Sequence, residues 1–331
     1  MQIQTFTDFD AFRASNPQVD GQWLINGGKD YLWKTEFLPV GYCLMIRCTS
    51  HTGLITEGVE ASECYQFYVP FGSLWKNNGA PFSEEHVLIV EPGADYCVTC
   101  REAEGFHGFI IPKHLVSFDK AIEHKRARSS YTIKTQRWRT DQVRDLFDRV
   151  IKAAGDNPEI LSSPASKMIE VELRSLLEPL LRYHPNRKTF NVFKGRPRFS
   201  RREILHKAHT VIDSFANEPI HITELADLIG VSERTLRIVF NEFYQIGPLQ
   251  YLRLRELHKV RHELIAADAR KTTVTDVLTQ CGVWEFGRFS GRYKHQFGEL
   301  PHETLNKVYT LGAERCTETS LGFRAKRRPV R

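Results

Sequence analysis

The segment 228-LIGVSERTLRIVF-240 decides how the C-terminal half of this chain folds. Just before it, Leu225, Ala226 and Ile229 recur at helical spacing, which predicts the inward face of a short helix with Thr223 as its N-cap. Ala226 is small enough for a second helix to cross closely. Gly230 suits a turn that needs positive φ, and Val231 can plug the space between the helices. Ser232 is placed to cap a second helix whose buried stripe is Leu236, Val239, Phe240 and Phe243. The pattern is a helix-turn-helix, and the outward face of its second helix carries Glu233, Arg234, Thr235, Arg237 and Ile238. A helix with such a face fits the major groove of duplex DNA, where Arg donates two hydrogen bonds to guanine and Thr touches a base or a thymine methyl. A helical hairpin with a solvated charged face explains this one segment equally well.

An echo some 50 residues on favours the DNA reading. The segment 274-VTDVLTQCGVWEFGRFSGRYKHQFG-298 repeats the layout. Val274, Val277 and Leu278 face inward, Gly282 turns, Val283 plugs, and Phe289, Tyr293 and Phe297 form the second stripe. Leu236 lies six residues past Gly230, whereas Phe289 lies seven past Gly282, so the second turn is one residue longer. Its outward residues are Trp284, Glu285, Phe286, Arg288 and Arg292. Between the units, 248-PLQYLRLRELHKVRHELIAA-267 starts with Pro at a first helical position. Leu252, Leu257, Val260 and Leu264 give it an apolar stripe, and Arg253, Arg255, Lys259 and Arg261 a basic surface. A rigid helix of this kind would hold both second helices roughly parallel, for successive major grooves about one helical turn (~34 Å) apart.

Residues from about 200 to 305 resemble the DNA-binding domain of the AraC/XylS family of bacterial transcription regulators. The matching stretches are 222-ITELADLIGVSERTLRIVF-240, 247-GPLQYLRLRELHKVRHEL-264 and 282-GVWEFGRFSGRYKHQFGELP-301, closing on Phe297-Gly298 and Pro301. The segment 283-VWEFGRFSGRY-293 is most similar to the ethanolamine-utilisation type of regulator. The resemblance implies DNA-facing positions at Arg234, Thr235, Arg237 and Ile238, and at Phe286, Arg288 and Gly291. Ile238 and Gly291 depart from the polar residues common there, so the base code of relatives does not transfer. Phosphate contacts are expected from Arg253, Arg255, Lys271, Lys294 and helix N-termini. The resemblance further implies double-stranded DNA, a small-molecule effector, RNA polymerase and a second copy of the chain as partners.

The N-terminal half has a different grain. The segments 40-VGYCLMIRC-48, 65-YQFYVP-70, 86-HVLIVEPG-93, 95-DYCVTCR-101 and 106-FHGFIIP-112 are short and rich in β-branched and aromatic residues, with turn formers between them. They predict a sandwich or small barrel over 36–111. Helical periodicity follows from about 136, in 138-WRTDQVRDLFDRVIKAAG-155, which Gly155 would stop, and in 166-SKMIEVELRSLLEPLLRY-183, which Pro179 would weaken near its end. The stripe Ile169, Leu173, Leu176, Leu177 and Leu180 is either a dimer surface or the core face of a helix packed on the barrel. Aromatics on the strands, Tyr42, Tyr65, Tyr68, Trp75 and Tyr96, are candidate ligand contacts, with core packing the commoner fate of each. Arg47 and His107 sit inside apolar runs, where each needs a partner from the protein or from a ligand.

The expected fold class is α+β multidomain: an N-terminal cupin-like β-rich sensor with a helical segment, then an all-α domain of two helix-turn-helix units joined by a long helix. The expected boundaries are a sensing and dimerisation domain over 1–183, a linker over 184–200 that is polar and holds two prolines, the DNA-binding domain over 201–306 and a basic tail over 307–331. Charge follows this division. Residues 1–195 hold 23 Lys/Arg against 24 Asp/Glu, residues 196–305 hold 16 against 14, and residues 306–331 hold 7 against 2. The excess positive charge therefore lies where a polyanion is expected to bind.

Other chemistry finds less support. Seven cysteines, an odd and scattered set, fit free thiols in a reducing compartment, so a cytoplasmic location is expected. No run of about 18 apolar residues and no basic-then-apolar leader stands in the sequence, so no membrane span or signal peptide is expected. Cys97 and Cys100 form a lone CxxC within a predicted strand, where the two side chains point to opposite faces, and are expected to be buried structural thiols. His258 and His262 lack the acidic residue a zinc protease needs after its first His. No cofactor, metal or catalytic residue is expected. The alternative is a cupin-like enzyme fused to a helical interaction module; a metal-dependent cupin would need His-x-His with a nearby Glu, and none stands between 36 and 111.

Overall fold

The computed structural model describes residues 1–15, 21–26, 32–50, 52–60, 63–72, 75–101, 105–116, 129–182, 199–215 and 220–307. Nearly all of the expected linker and basic tail lies outside the described residues. The chain divides into two compact units, the first made of Met1–Trp23 and Asp30–Lys188, the second of Leu24–Lys29 and Thr189–Ala313, so the strand Gln22–Ile25, described with the first unit below, has its last two residues assigned to the second.

The first unit is built on β-strands, and they reach beyond the 36–111 window on both sides. The strands are β1 (Gln2–Phe6), β2 (Gln22–Ile25), β3 (Trp33–Val40), β4 (Cys43–Ser50), β5 (Leu54–Val59), β6 (Cys64–Pro70), β7 (Trp75–Asn77), β8 (Ala80–Phe82), β9 (His86–Val90), β10 (Asp95–Cys100), β11 (Phe106–Pro112) and β12 (Ser130–Lys134). A short helix, α1 (Phe9–Ala14), follows β1 and is capped by the Asp8 carboxylate. One sheet runs β1-β3-β4-β11-β6-β9-β12, the other β2-β5-β10-β7-β8. The single strand expected over 40–48 is in fact a hairpin corner: Val40 pairs with Cys43 and the chain reverses at Gly41, which holds φ +58°. The β7–β8 hairpin turns on Asn78-Gly79, both at positive φ, the requirement of a two-residue turn that matches strand twist.

Period-two alternation assigns the two faces of the larger sheet. Tyr65, Phe67 and Val69 of β6, Val87 and Ile89 of β9, and Phe109 and Ile111 of β11 join one core with α2 (Arg137–Asp156) and α3 (Pro164–Leu177). Leu88 and Val90 of β9 face the other way and pack with Trp75, Phe82 and Tyr96 of the smaller sheet. Gly155 does not stop α2, which runs one residue further and closes at Asn157. Pro179 falls in a 3₁₀ segment, Glu178–Arg182, that follows α3, since proline cannot extend the α-helical hydrogen bonding. The stripe of Leu173, Leu177 and Leu180 is buried in the unit's own core, with Ile169 and Leu176 partly buried against it. Most of the stripe is thus the core face of a helix packed within the unit.

The second unit contains α4 (Arg201–Ser214), α5 (Ile222–Ile229), α6 (Glu233–Tyr244), α7 (Pro248–Ala266), α8 (Val274–Gln280), α9 (Phe286–Phe297) and α10 (Pro301–Asn306). Ser200 and Glu203 form a capping box at the start of α4. Tyr244 and Tyr251 stack at 4.4 Å where α6 meets α7, and the Tyr244 hydroxyl lies 2.6 Å from His209 Nε2 of α4. Three helices are thus pinned at one aromatic centre.

Four sequence expectations here need correcting. The N-cap of α5 is His221, not Thr223; the Thr223 hydroxyl instead donates to Glu233 Oε1 across the turn at 2.5 Å. Val231 is only half-buried, whereas its counterpart Val283 is fully buried. Leu252 is half-buried, and Tyr251 and Leu254 take the core positions on α7. Arg261 does not belong to a basic surface: it is 4% exposed and paired with Glu299.

Candidate functional site

Both turns between the paired helices use glycine in the left-handed region, Gly230 at φ +78° and Gly282 at φ +81°. At the first, the Gly230 and Val231 N–H groups both donate to Ala226 O, which closes the end of α5. Ser232 then caps α6 by accepting from the Thr235 N–H at 3.1 Å. The helix α6 starts three positions after Gly230 and α9 four positions after Gly282, so the second turn is one residue longer.

On α6, Arg234 and Arg237 are exposed, and Glu233, Thr235 and Ile238 are half-buried on the same outward side. Leu236, Val239, Phe240 and Phe243 are buried beneath them. Arg237 pairs with Glu233 at 3.3 Å, one turn back. Hydrogen bonds from Thr223 and Arg237 hold the Glu233 carboxyl below the usual carboxylate range. No ion pair involves Arg234 among the described residues.

The outward side of α9 differs. Arg288 is exposed and pairs with Glu285 at 3.2 Å. Trp284 is 69% exposed although it is the largest side chain in the unit, and Phe286 is half-buried. Arg292 reaches back to Glu256 of α7 at 3.6 Å, so its guanidinium is tied to the scaffold. Burial raises the Glu256 carboxyl above its ordinary range despite Arg292, Arg253 and Lys259 nearby. Two glycines one turn apart, Gly287 and Gly291, leave a bare strip: a β-carbon on either would meet none of the described residues within 4 Å. Arg253, Lys271 and Lys294 are exposed, as phosphate contacts require, whereas Arg255 is held by Asp213 at 2.7 Å. The arrangement can place guanidinium groups, one hydroxyl and an aromatic edge against base pairs, and cations against phosphates.

The first unit holds a different feature. A cavity of about 90 Å³ lies between the two sheets, walled by aromatic rings that include Trp23, Trp33, Trp75, Phe82 and Phe106. Of the ligand-contact candidates, Tyr68, Trp75 and Tyr96 line it. Tyr42 is exposed at the Gly41 corner, and Tyr65 points into the core under the helices. His107 and Arg47 also lie on the helix side: Arg47 pairs with Asp148 at 2.9 Å, and Glu36 meets the same guanidinium. The sequence reading missed Trp23, Trp33 and Gln66, because alternation shows which residues share a face but not which face meets the second sheet. Cys48 and Cys100 lie in the cavity wall, and burial pushes both thiols up to about 12, so they stay protonated and inert.

A fold of two glycine-turned helix pairs, each offering an exposed arginine-bearing helix, defines the class of helix-turn-helix DNA-binding proteins. Comparison with known proteins narrows the class. The family model described as a helix-turn-helix domain matches residues 225–307. The probable thc operon regulatory protein of Rhodococcus erythropolis is 31% identical over 105 residues, 32% of each chain. XylDLEGF operon transcriptional activator 3 of Pseudomonas putida is 26% identical over 279 residues, 82% of this chain and 79% of the relative. Among solved structures, the AraC-like transcriptional activator CuxR matches at 13% identity and a TM-score of 0.43, covering 84% of this chain and all of the other. The chain is a DNA-binding transcription regulator, similar over about four fifths of its length to an operon activator of the XylS kind.

Proposed function

We propose that this protein activates transcription of an operon in response to a small molecule, in the cytoplasm and without catalysing a reaction. The expected boundaries serve this reading: residues 1–183 sense the effector, 184–200 link, 201–306 bind DNA and the basic tail over 307–331 adds attraction for phosphates. The helices α6 and α9 enter successive major grooves on one face of the duplex. Arg234, Thr235, Arg237, Arg288 and Trp284 touch base edges or sugars; Glu233 and Glu285 orient the arginines, Ile238 and Phe286 give apolar contacts, and Arg292 steadies α9 against α7. Arg253, Lys271 and Lys294 contact phosphates. RNA polymerase and a second copy of the chain are the protein partners that an activator of this class needs. The names of its relatives attach activation to operons, which supports the choice of activator.

One observation carries this reading: two separate helices in one unit each expose an arginine-bearing face above a fully packed stripe. Solvated hairpins have no reason to repeat that arrangement. The test is a gel shift with the DNA upstream of the protein's own gene at two salt concentrations, with random DNA as competitor. Specific retention that survives competitor and weakens with salt is expected. Binding that random DNA abolishes would overturn the sequence-specific reading.

A further inference from the structure

Among the described residues, none that lines the cavity between the sheets is charged. Its polar edge is a short chain of hydrogen bonds. The Tyr68 hydroxyl donates to Gln66 Oε1, and the Gln66 amide donates to the Glu60 carboxylate. Glu60 is buried, and a carboxylate can only accept, so it fixes the direction of both bonds. Gln66 must turn its NH₂ toward Glu60 and its carbonyl toward Tyr68. Tyr68 must give up its proton to that carbonyl, which leaves the lone pairs of its oxygen to receive a donor. In the same wall the indole N–H of Trp23 is buried and has no hydrogen-bond partner among the described residues, so one donor awaits an acceptor. A hydroxyl group answers both demands, because it donates once and accepts as well.

Charge has no counterpart there. Arg47 and His107 lie on the opposite face of the larger sheet, as alternation along β4 and β11 dictates. A carboxylate in this cavity would lose its hydration, find no cation among the described residues of the wall and lie near the buried Glu60. The Tyr68 phenol already reports that environment: burial, then Glu60, then Tyr96 push its pKa well above the ordinary tyrosine range. Size sets a further limit. An apolar cavity of roughly 150 Å³ accepts benzene, so one of about 90 Å³ takes a single ring with slight give in its walls and no second ring.

We propose that this cavity binds an uncharged molecule of single-ring size carrying a hydroxyl group, and rejects the carboxylate of the same shape. The proposal rests on the reading of the first unit as an effector sensor and names the chemistry that sensor accepts.

Three probes of matched shape test it on the full-length protein: benzyl alcohol, toluene and benzoate, followed by ligand-observed NMR and by thermal shift at pH 7.5. Benzyl alcohol should bind and raise the melting temperature, toluene should bind more weakly, and benzoate should do neither. Tyr68→Phe should weaken benzyl alcohol about tenfold, the effect of one lost hydrogen bond, and leave toluene unchanged. If benzoate binds as well as benzyl alcohol, the charge argument fails while the sensor reading stands. If toluene equals benzyl alcohol, or Tyr68→Phe spares both, hydroxyl recognition fails and the sensor reading again stands. If no probe binds, the cavity is only a packing gap, and both the sensor reading of this site and the proposal fall together.

Discussion

Arg261 of α7 and Glu299, just after α9, form an ion pair at 2.7 Å inside the second unit, with Arg261 only 4% exposed. The pair is the centre of a network. Thr304 donates to the same Glu299 oxygen at 2.7 Å, Lys307 reaches the other, the Tyr293 hydroxyl lies 2.9 Å from Thr304, and the Arg261 guanidinium sits 4.7 Å from the Phe297 ring centroid. Burial raises the Glu299 carboxyl, but the hydrogen bonds from Lys307, Thr304 and Arg261 outweigh burial and hold it below its ordinary value. Glu299→Ala should therefore destabilise the second helix pair by about 3–5 kcal/mol, because it strands a buried guanidinium. Replacing both partners at once, Arg261→Met with Glu299→Leu, should cost much less than the sum of the single changes. Helical ellipticity in urea reads both; an additive double variant would show that the pair is not coupled.

Gly41 and Glu170 set up a second structural test. The Tyr42 N–H donates to Glu170 Oε2 at 2.8 Å and the Gly41 N–H to Ser166 Oγ at 2.7 Å, which fastens the β3–β4 corner to α3. A β-carbon on Gly41 would come within 2.0 Å of that same carboxylate oxygen, at a φ of +58°. Gly41→Ala should cost about 2–4 kcal/mol, from backbone strain together with displacement of the buried carboxylate. Glu170→Gln keeps an acceptor and should cost less than Glu170→Ala. Four of the five tryptophans, at 23, 33, 75 and 138, lie in the first unit, so intrinsic fluorescence during unfolding reports mainly on it.

The helix-turn-helix pairs were legible because their signals are local. A left-handed turn demands Gly230 or Gly282 whatever surrounds it, and the stripes repeat every three or four residues. The β corner at Gly41 was not legible, since Val40 through Cys48 is one apolar run to any periodic reading and only the latch to α3 breaks it. Arg261 was misread because a basic residue on an amphipathic helix is usually solvated, and its acid partner lies 38 positions away. The cavity was only partly visible. Tyr68, Trp75 and Tyr96 were picked as aromatics on strands, while Trp23 and Trp33 lie in strands outside the recognised window. Which faces of two sheets meet is a tertiary fact that no local pattern encodes.

His107 predicts a pH dependence. Its ring is buried against Phe71 and Phe147, both centroids 4.8 Å away, and neither ring nitrogen has a hydrogen-bond partner among the described residues. Burial first, then Arg47 and Arg144, lower its pKa to about 3 from 6.5, with Glu36 opposing. The folded state therefore binds this proton less readily than the unfolded chain does. Stability from this group is complete above pH 6.5 and is lost as the pH falls toward 3, at up to about 1.4 kcal/mol per pH unit. His107→Phe should flatten the slope of first-unit stability between pH 6.5 and 4 by about one proton. An unchanged slope would place the titrating group elsewhere.

The outward arginines of α6 should separate sequence reading from general attraction. Arg234→Ala and Arg237→Ala should each relax preference at one base pair by about 1–3 kcal/mol and change affinity for random DNA little. Arg253→Ala, on an exposed stretch of α7, should weaken specific and random DNA alike and lower the salt slope by about one. Glu233→Gln should raise affinity for random DNA several-fold, because it releases Arg237 and removes a negative charge facing the phosphates. Quantitative footprinting against a panel of single-base variants checks all four; uniform losses from Arg237→Ala would remove α6 from base recognition.

The two bare glycines of α9 set stability against binding. In an exposed helix, glycine costs about 1 kcal/mol relative to alanine through backbone entropy. None of the described residues would touch a methyl group at 287 or 291, so packing among them does not explain why that cost is borne. Close approach of a DNA strand or base edge to the helix backbone does explain it. Gly291→Ala should stabilise the second unit by about 0.5–1 kcal/mol and yet weaken specific DNA binding, with Gly287→Ala following at the helix N-terminus. Stability comes from thermal unfolding and affinity from fluorescence anisotropy on the same preparations. If both variants grow more stable and bind as tightly as the parent chain, α9 does not come close to the duplex along this strip.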